Sequence, residues 1–169
     1  MVFSAPVRLW LLPSAVLLAA LTVWGALRYP HLPDRIPEHI GPAEVDAWTD
    51  RSIGSAFLLV LLYAGLTVLM AGSAELALRM TPRDELPETT GLSSSLVNRP
   101  ATRASARRTA RALLLLNACI GVSFAVGCGV LWRSTPDPDV PAWLPVAALV
   151  PIVVGAVPTI VVAMRDRKR

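Results

Sequence analysis

The sequence predicts an all-α integral membrane protein, a bundle of four transmembrane helices with both termini in the cytoplasm. Its 169 residues contain four uncharged apolar runs, at residues 9–27, 52–74, 112–132 and 140–164. Each run is long enough to cross a hydrocarbon core of roughly 30 Å, which takes about 20 helical residues. Hydrophobic residues make up 54% of the chain, above the roughly 45–50% typical of soluble domains, and the mean hydropathy is +0.54.

We expect the chain to form a single membrane domain, residues 1–169, because the spans leave no room for a separate soluble domain. The first run follows Arg8 and could be mistaken for a signal peptide. It is longer than a usual signal sequence core, it contains Pro13 and Trp24, and it has no A-x-A cleavage pattern before Arg28. We therefore expect it to remain as an anchor.

The distribution of basic residues predicts the orientation. Twelve Lys and Arg residues fall near the N-terminus, between the second and third runs, and in the C-terminal tail, against four in the other two loops. Basic residues near span ends favour the cytoplasmic side. Residues 75–111 and both termini should therefore be cytoplasmic, whereas residues 28–51 and 133–139 should lie outside. Trp10, Trp132 and Trp143 lie near span ends, where indole rings favour the headgroup level.

Residues 75–111 divide into two predicted parts, a linker and a basic helix. Residues 81–98 are rich in Pro, Ser, Thr and acidic residues, which is typical of a flexible linker. After Pro100 an Ala-rich segment carries arginines at every fourth position, so they share one helix face. This basic face consists of Arg99, Arg103, Arg107 and Arg111. Two interpretations remain open, a face that lies on anionic headgroups and a docking face for an acidic cytoplasmic protein.

The third run contains a stripe of small residues that predicts close helix packing. Gly121, Ala125 and Gly129 recur at every fourth position, which allows two helix backbones to approach. Asn117 extends this stripe, and its amide either joins helices by hydrogen bonds or contributes to a substrate site. Two cysteines in the same run, nine positions apart, have no metal or redox spacing, and we interpret them as packing residues.

The loop between the first and second runs contains the most distinctive motif. From Tyr29 to His39 it reads Y-P-H-L-P-D-R-I-P-E-H, followed by G-P, D-x-W and a basic residue. Each proline fixes its own φ and disfavours helix at the preceding residue, so we expect a stiff, turn-rich loop of defined shape. The candidate ligand-binding residues of this loop are Tyr29, Pro30, Leu32, Pro33, Asp34, Arg35, Pro37, His39, Asp46 and Trp48.

This motif resembles the bacterial domain of unknown function DUF1648, over roughly residues 9–74. The same domain opens SdpI-type peptide-toxin immunity proteins. The chain departs from the family pattern after His39, where Glu44 stands near a position usually occupied by glycine. Residues from Thr81 onward also lack the additional helices of the SdpI-type architecture. The resemblance therefore implies a small bacterial protein of the cytoplasmic membrane with an extracytoplasmic Pro-rich loop, and it does not by itself imply immunity.

The chemistry of the chain disfavours catalysis, cofactors and nucleic acid. No run contains Asp, Glu, Lys, Arg or His, so an intramembrane protease or an ion-coupled transporter is disfavoured because it would lack the carboxylates, basic groups or histidines that such chemistry uses. His31 and His39 lack a recognised metal-ligand spacing, and we predict no metal and no cofactor. The net charge of +4 is explained by topology, and no aromatic residues alternate with the arginines for base stacking.

Three functions remain. The first is a non-enzymatic protein that senses or resists an extracellular peptide through residues 28–51. The second is an accessory subunit of a transporter or small permease, and the third is a structural membrane partner. The expected partners are the lipid bilayer, an extracellular peptide, or a membrane or cytoplasmic protein.

Overall fold

A computed structural model describes residues 3–41, 44–86, 99–133 and 140–167 of the chain. Within these residues, four helices are long and apolar enough to cross a membrane, so the protein is a multi-pass membrane protein built mainly from helices. They are α1 (Ala5–Arg28), α3 (Leu58–Arg79), α4 (Arg103–Leu131) and α5 (Leu144–Arg167). Between α1 and α3 the chain forms β1 (Arg35–Ile40), β2 (Val45–Asp50) and the short helix α2 (Ile53–Ala56).

The two strands make the all-α prediction wrong in this one region. They pair antiparallel, with Arg35 opposite Asp50 and Pro37 opposite Trp48. The register shifts twice, between Pro37 and His39 and again between His39 and Ile40. A two-stranded sheet has only edge strands, which tolerate a proline that cannot donate to the ladder. The prolines therefore stiffen a β-hairpin here instead of a succession of turns.

The third span begins earlier than its apolar run. Helix α4 is continuous from Arg103 through Leu131, so the predicted basic helix and the third span are one helix of 29 residues, about 43 Å long at 1.5 Å per residue. It begins at Arg103 because the Thr102 hydroxyl accepts a hydrogen bond from the backbone N–H of Ser105 at 3.1 Å. Arg99 consequently precedes the helix, contrary to the prediction that it shares the helical face.

The second span begins at Leu58 because the preceding residues form a separate helical turn. The Ser52 side chain caps α2 in a reciprocal capping box with Ser55, and Phe57 then leaves the helical region of φ and ψ. At its other end, α3 stops at Arg79 and Met80 is extended. Most of the predicted linker, residues 87–98, and most of the loop after α4, residues 134–139, lie outside the described residues.

Helix α4 lies at the centre of the bundle and packs against α1, α3 and α5. At one end of the bundle the hairpin, the end of α1 and the end of α4 share an apolar core that includes Leu32, Ile36 and Trp132. We call this the hairpin end. At the other end, called here the termini end, a second core contains Val7 of α1, Ala74 of α3 and other small residues. The long apolar side chains of α5 are largely exposed, as expected for a helix that faces lipid.

Candidate functional site

Two hydrogen-bonded links fix the hairpin end of the bundle. The Arg28 guanidinium, at the end of α1, donates to the Trp132 carbonyl oxygen from Nε at 3.3 Å and from Nη2 at 3.2 Å. The Trp132 indole Nε1 in turn donates to the Ala56 carbonyl oxygen at 2.8 Å. These bonds join the ends of α1, α4 and α2, and they satisfy carbonyl groups that the helix ends leave without intrahelical partners.

The Trp132 ring is the centre of an aromatic cluster. Only 1% of Trp132 is exposed, so its ring packs inside the protein, whereas Trp10 and Trp143 are exposed. The ring packs edge to face on Trp24 with centroids 5.1 Å apart, and it lies 5.9 Å from the Phe57 ring. Such arrangements suit the quadrupole of aromatic rings.

Gly25 makes this packing possible. A Cβ atom at Gly25 would lie 2.7 Å from Cζ2 of Trp132 and 2.9 Å from Cε1 of Phe57. Both distances are far below normal van der Waals contact, so any larger residue would displace a ring. The absence of a side chain at Gly25 therefore brings α1 against the end of α4 directly under the hairpin.

Arg51 closes the base of the hairpin. Its backbone N–H donates to the Asp34 carbonyl oxygen at 2.7 Å, and its Nη1 donates to the Leu32 carbonyl oxygen at 2.6 Å. Its Nη2 also lies 3.5 Å from the Asp34 carboxylate, and the guanidinium carbon lies 5.8 Å from the Tyr29 ring centroid. One side chain thus holds the residues before β1 against the residues after β2.

The structure divides the predicted motif residues into anchors and exposed residues. Leu32 and Pro37 are buried, and Trp48 packs on a cluster that contains Val130 and Val140. Tyr29 and Pro33 are half-buried. The motif residues with exposed side chains are Pro30, Asp34, Arg35, His39 and Asp46. The buried residues fix the hairpin on the bundle, and the exposed residues are accessible to a ligand.

His39 and Asp46 form the polar tip of the hairpin. His39 Nδ1 lies 2.6 Å from Asp46 Oδ1, and both side chains are at least half exposed. The register shifts leave Glu38 as an extra residue in β1 and Asp46 as an extra residue in β2. Bulges of this kind redirect side chains. Next to the pair, the Gly41 N–H donates to the Glu44 carbonyl oxygen at 2.8 Å and closes the hairpin.

A cleft of about 230 Å³ lies between β1 and the ends of α3 and α4 at the hairpin end of the bundle. Leu58, Leu59 and Leu131 form its apolar floor together with the bare backbone of Gly127, and Glu38 and His39 form part of its rim. Concave apolar surfaces with a few polar groups are typical of binding sites. The cleft can accept an apolar side chain while the rim binds polar groups beside it.

The other two predicted groups of residues lie away from this cleft. In the interior of the bundle Asn117 is fully buried, and a Cβ at Gly121 would overlap the Tyr63 ring. Ala125 is half-buried, whereas Gly129 is exposed on the surface with only the Trp24 ring near it, 3.6 Å from the position of a Cβ.

The predicted basic face is divided by its contacts. Arg99 donates to the Thr81 carbonyl oxygen at 3.2 Å. Arg103 forms a two-pronged pair with Glu85 at 2.8 and 2.9 Å. Arg107 is exposed, and the guanidinium carbon of Arg111 lies 6.0 Å from the Trp10 ring centroid. These arginines therefore do not act as one uniform surface.

Three residues important for this site were not predicted as such: Gly25, Arg51 and Trp132. Their partners lie far away in the chain, as with Trp132 and Ala56, which are 76 positions apart. The sequence signal that could have identified Gly25 is its position beside Trp24 at the end of a span. Among the described residues, no group of three or more His, Cys, Asp or Glu side chains is placed to hold a metal ion.

Comparison with known proteins gives a match for one segment of the chain. No curated protein matches the chain, and no solved structure matches it either. A family model does match, and it covers the part of the chain from the middle of α1, through the hairpin, to the first turns of α3. Residues 16–63 match the family described as Domain of unknown function (DUF1648), which confirms the resemblance seen in the motif.

Proposed function

We propose that this protein is a non-enzymatic, multi-pass protein of the bacterial cytoplasmic membrane that binds an extracellular peptide at the hairpin and thereby senses it or confers resistance to it. In this proposal the hairpin end faces outward and the termini end faces the cytoplasm. The excess of basic residues at the termini end supports this orientation.

The observation that carries the proposal is a rigidly anchored hairpin with exposed polar residues beside an apolar cleft. Arg51 closes its base through a bond to a backbone carbonyl, and the bonds of Arg28 and Trp132 join the helix ends beneath it. His39 and Asp46 remain exposed at its tip. A surface held in shape before binding loses less entropy when the ligand arrives. The hairpin therefore suits recognition better than it suits a purely structural role.

The cleft indicates what such a peptide would look like. An apolar side chain would occupy the floor formed by Leu58, Leu59 and Leu131. Glu38 on the rim and Asp46 at the tip are acidic and exposed, so they favour a basic residue close to that apolar side chain. A cationic, amphipathic peptide at the outer membrane surface has both features.

The test is growth of a sensitive host across a panel of membrane-active peptides, with and without this protein. His39→Ala removes the tip pair, and Thr49→Trp fills the cleft from β2. Pro33→Ala loosens the entry to the hairpin. Each should reduce protection while insertion, which depends on the spans, stays normal. Arg107→Ala is the matched control, since Arg107 is equally exposed but lies at the termini end.

Binding of the same peptides to the protein in nanodiscs separates recognition from indirect effects. Loss of binding in Thr49→Trp, with binding retained in Arg107→Ala, supports the proposal. If the wild-type protein neither protects the host nor binds any peptide, or if all three hairpin variants behave like the wild type, the proposal fails.

A second candidate function is an accessory subunit of a transporter or small permease. It is favoured by α5, which packs mainly on α4. Only 6% of the most apolar stretch of α5 is buried inside the protein. A further membrane subunit could cover this helix. Recovery of the same membrane protein with the wild type, and its loss when Val153 and Val157 on the exposed face of α5 are replaced by Trp, would favour this function.

A further inference from the structure

A second concave surface lies at the termini end, far from the hairpin. Helices α3 and α5 both pack on α4 and make little direct contact with each other. The groove between them has a volume of about 400 Å³, within the roughly 300–1,000 Å³ typical of small-molecule sites. Ala112 of α4 forms part of its floor, with Leu76 of α3 and Val162 of α5 on opposite walls.

The walls of this groove are mainly apolar, and Ser73 and Thr159 are two of the polar residues among them. The Ser73 hydroxyl donates to the Leu69 carbonyl oxygen at 2.8 Å, and the Thr159 hydroxyl lies 3.4 Å from the Gly155 carbonyl oxygen. Both hydroxyl groups are therefore bonded within their own helices. Leu76 is 61% exposed. In a membrane, an exposed apolar wall between two spans is accessible to lipid chains.

The rim of the groove is polar and carries charged groups of both signs, Arg83 and Asp166. Asp166 of α5 accepts hydrogen bonds from the Ala101 N–H at 3.0 Å and from the Ser105 hydroxyl. Its carboxylate is thus bonded at the first turn of α4, where the helix dipole favours a negative charge. The Arg83 guanidinium donates to the Asp166 backbone carbonyl oxygen at 3.0 Å and not, among the described residues, to the Asp166 carboxylate, and its side chain is exposed.

Further arginines surround the same carboxylate. Arg108 and Arg165 line a small depression on the other side of Asp166. Arg83 itself follows the end of α3 at Arg79 by four positions, and a basic residue just past an apolar span is expected to meet the lipid headgroups. A guanidinium group binds phosphate strongly because two N–H groups can point at two oxygens.

We propose that this groove binds an anionic phospholipid, with one acyl chain between α3 and α5 and the headgroup phosphate at Arg83. The apolar walls match the chain, and the exposed Arg83 guanidinium at the rim matches the phosphate. This site is independent of the hairpin and of the proposed peptide ligand.

The test uses the full chain in phosphatidylcholine nanodiscs that contain a small fraction of phosphatidylglycerol with a photoreactive group in one acyl chain. Mass spectrometry of the cross-linked peptides should place the label on the groove walls, near Leu76 and Val162. Ala163→Trp fills the groove and should abolish this labelling, whereas Ala20→Trp, on the exposed surface of α1, should leave it unchanged.

The headgroup part of the proposal is tested with Arg83→Gln. Labelling of the groove should fall about fivefold, the ratio expected when one basic residue near anionic lipid is lost, and Arg107→Gln should have no effect. Photoreactive phosphatidylcholine should label the groove more weakly than phosphatidylglycerol does. This comparison does not depend on the folding of the Trp variants.

Three results would overturn the proposal. One is equal labelling of the groove and of the outer surface of α1, which would show only bulk lipid. Another is equal labelling by the neutral and the anionic probe, with no effect of Arg83→Gln. The last is cross-linking of two copies of the chain through α3 and α5 with no lipid label in the groove, which would make the groove a protein interface.

Discussion

The buried amide of Asn117 makes the sharpest prediction about stability. Its Nδ2 donates to the Ser14 hydroxyl of α1 at 2.8 Å and to the Thr67 hydroxyl of α3 at 3.0 Å. All three residues are buried. One side chain on α4 therefore bonds two neighbouring helices at once, at a depth where water offers no alternative partner.

The expected magnitude follows from these two bonds. Side-chain hydrogen bonds between membrane helices contribute about 0.6 kcal/mol on average and at most roughly 1.7 kcal/mol. Asn117→Ala should therefore lower the free energy of unfolding by about 1.2 kcal/mol through the two bonds, plus a smaller loss from packing. A double-mutant cycle of Asn117→Ala with Ser14→Ala isolates one bond and should give a coupling energy of about 0.6 kcal/mol.

The assay is reversible unfolding in lipid bicelles, followed by helix content as a denaturing detergent is added. Ser123→Ala is the matched control, because Ser123 lies on the same helix about 9 Å further along its axis and its hydroxyl has no hydrogen-bond partner among the described residues. It should combine additively with Asn117→Ala. If the Ser14 pair is also additive, or if Asn117→Ala stabilises the protein, the amide does not join these helices as described.

Two further predictions concern the hairpin end. Gly25→Ala should lower the free energy of unfolding by about 1–3 kcal/mol, because the added Cβ would lie 2.7 Å from the Trp132 ring. The control is Gly65→Ala, where no atom lies within 4 Å, and it should change the free energy of unfolding by less than about 1 kcal/mol. Equal losses in both variants would contradict the described aromatic packing. Asp46→Asn should change the free energy of unfolding by no more than about 1 kcal/mol, since the pair of Asp46 with His39 is exposed. Thermal unfolding measures this change. A larger loss would show that the pair stabilises the fold instead of forming a recognition surface.

The spans could be predicted because four long uncharged runs satisfy a simple length requirement. Their boundaries could not. A helix continues as long as its backbone bonds and its first turn are satisfied, whatever the solvent around it. Residues 103–111 therefore belong to α4 although they are charged, since Thr102 provides the cap. The resemblance to DUF1648 could also be predicted from the motif, and the match over residues 16–63 confirms it.

The hairpin could not be read from local pattern because its regular alternation is broken. Extra residues at Glu38 and Asp46 interrupt the period of two that indicates a strand. The prolines then favoured a loop on local grounds. What stabilises the strands is remote from them: Ile36 is buried in the core that contains Trp132. Pairing and burial between distant segments are not visible in a window of a few residues.

The candidate site was predicted as a segment but not as a surface. The motif contains both residues that pack against the bundle and residues that are exposed. Leu32 and Pro37 belong to the motif and are buried, whereas His39 and Asp46 belong to it and are exposed. Thr49 and Gly127 line the cleft, although neither was a candidate. Only the arrangement in space separates anchors from residues that can touch a ligand.

The two ends of the bundle are held together by different contacts, and this difference explains where each concave surface lies. At the hairpin end the Trp132 indole and the Arg28 guanidinium join separate helices through backbone carbonyls, so the helices converge and the remaining space is the cleft beneath β1. At the termini end α5 is joined to the rest through Asp166 and the first turn of α4. Because α5 packs along α4 and makes little direct contact with α3, the groove between α3 and α5 stays open toward lipid.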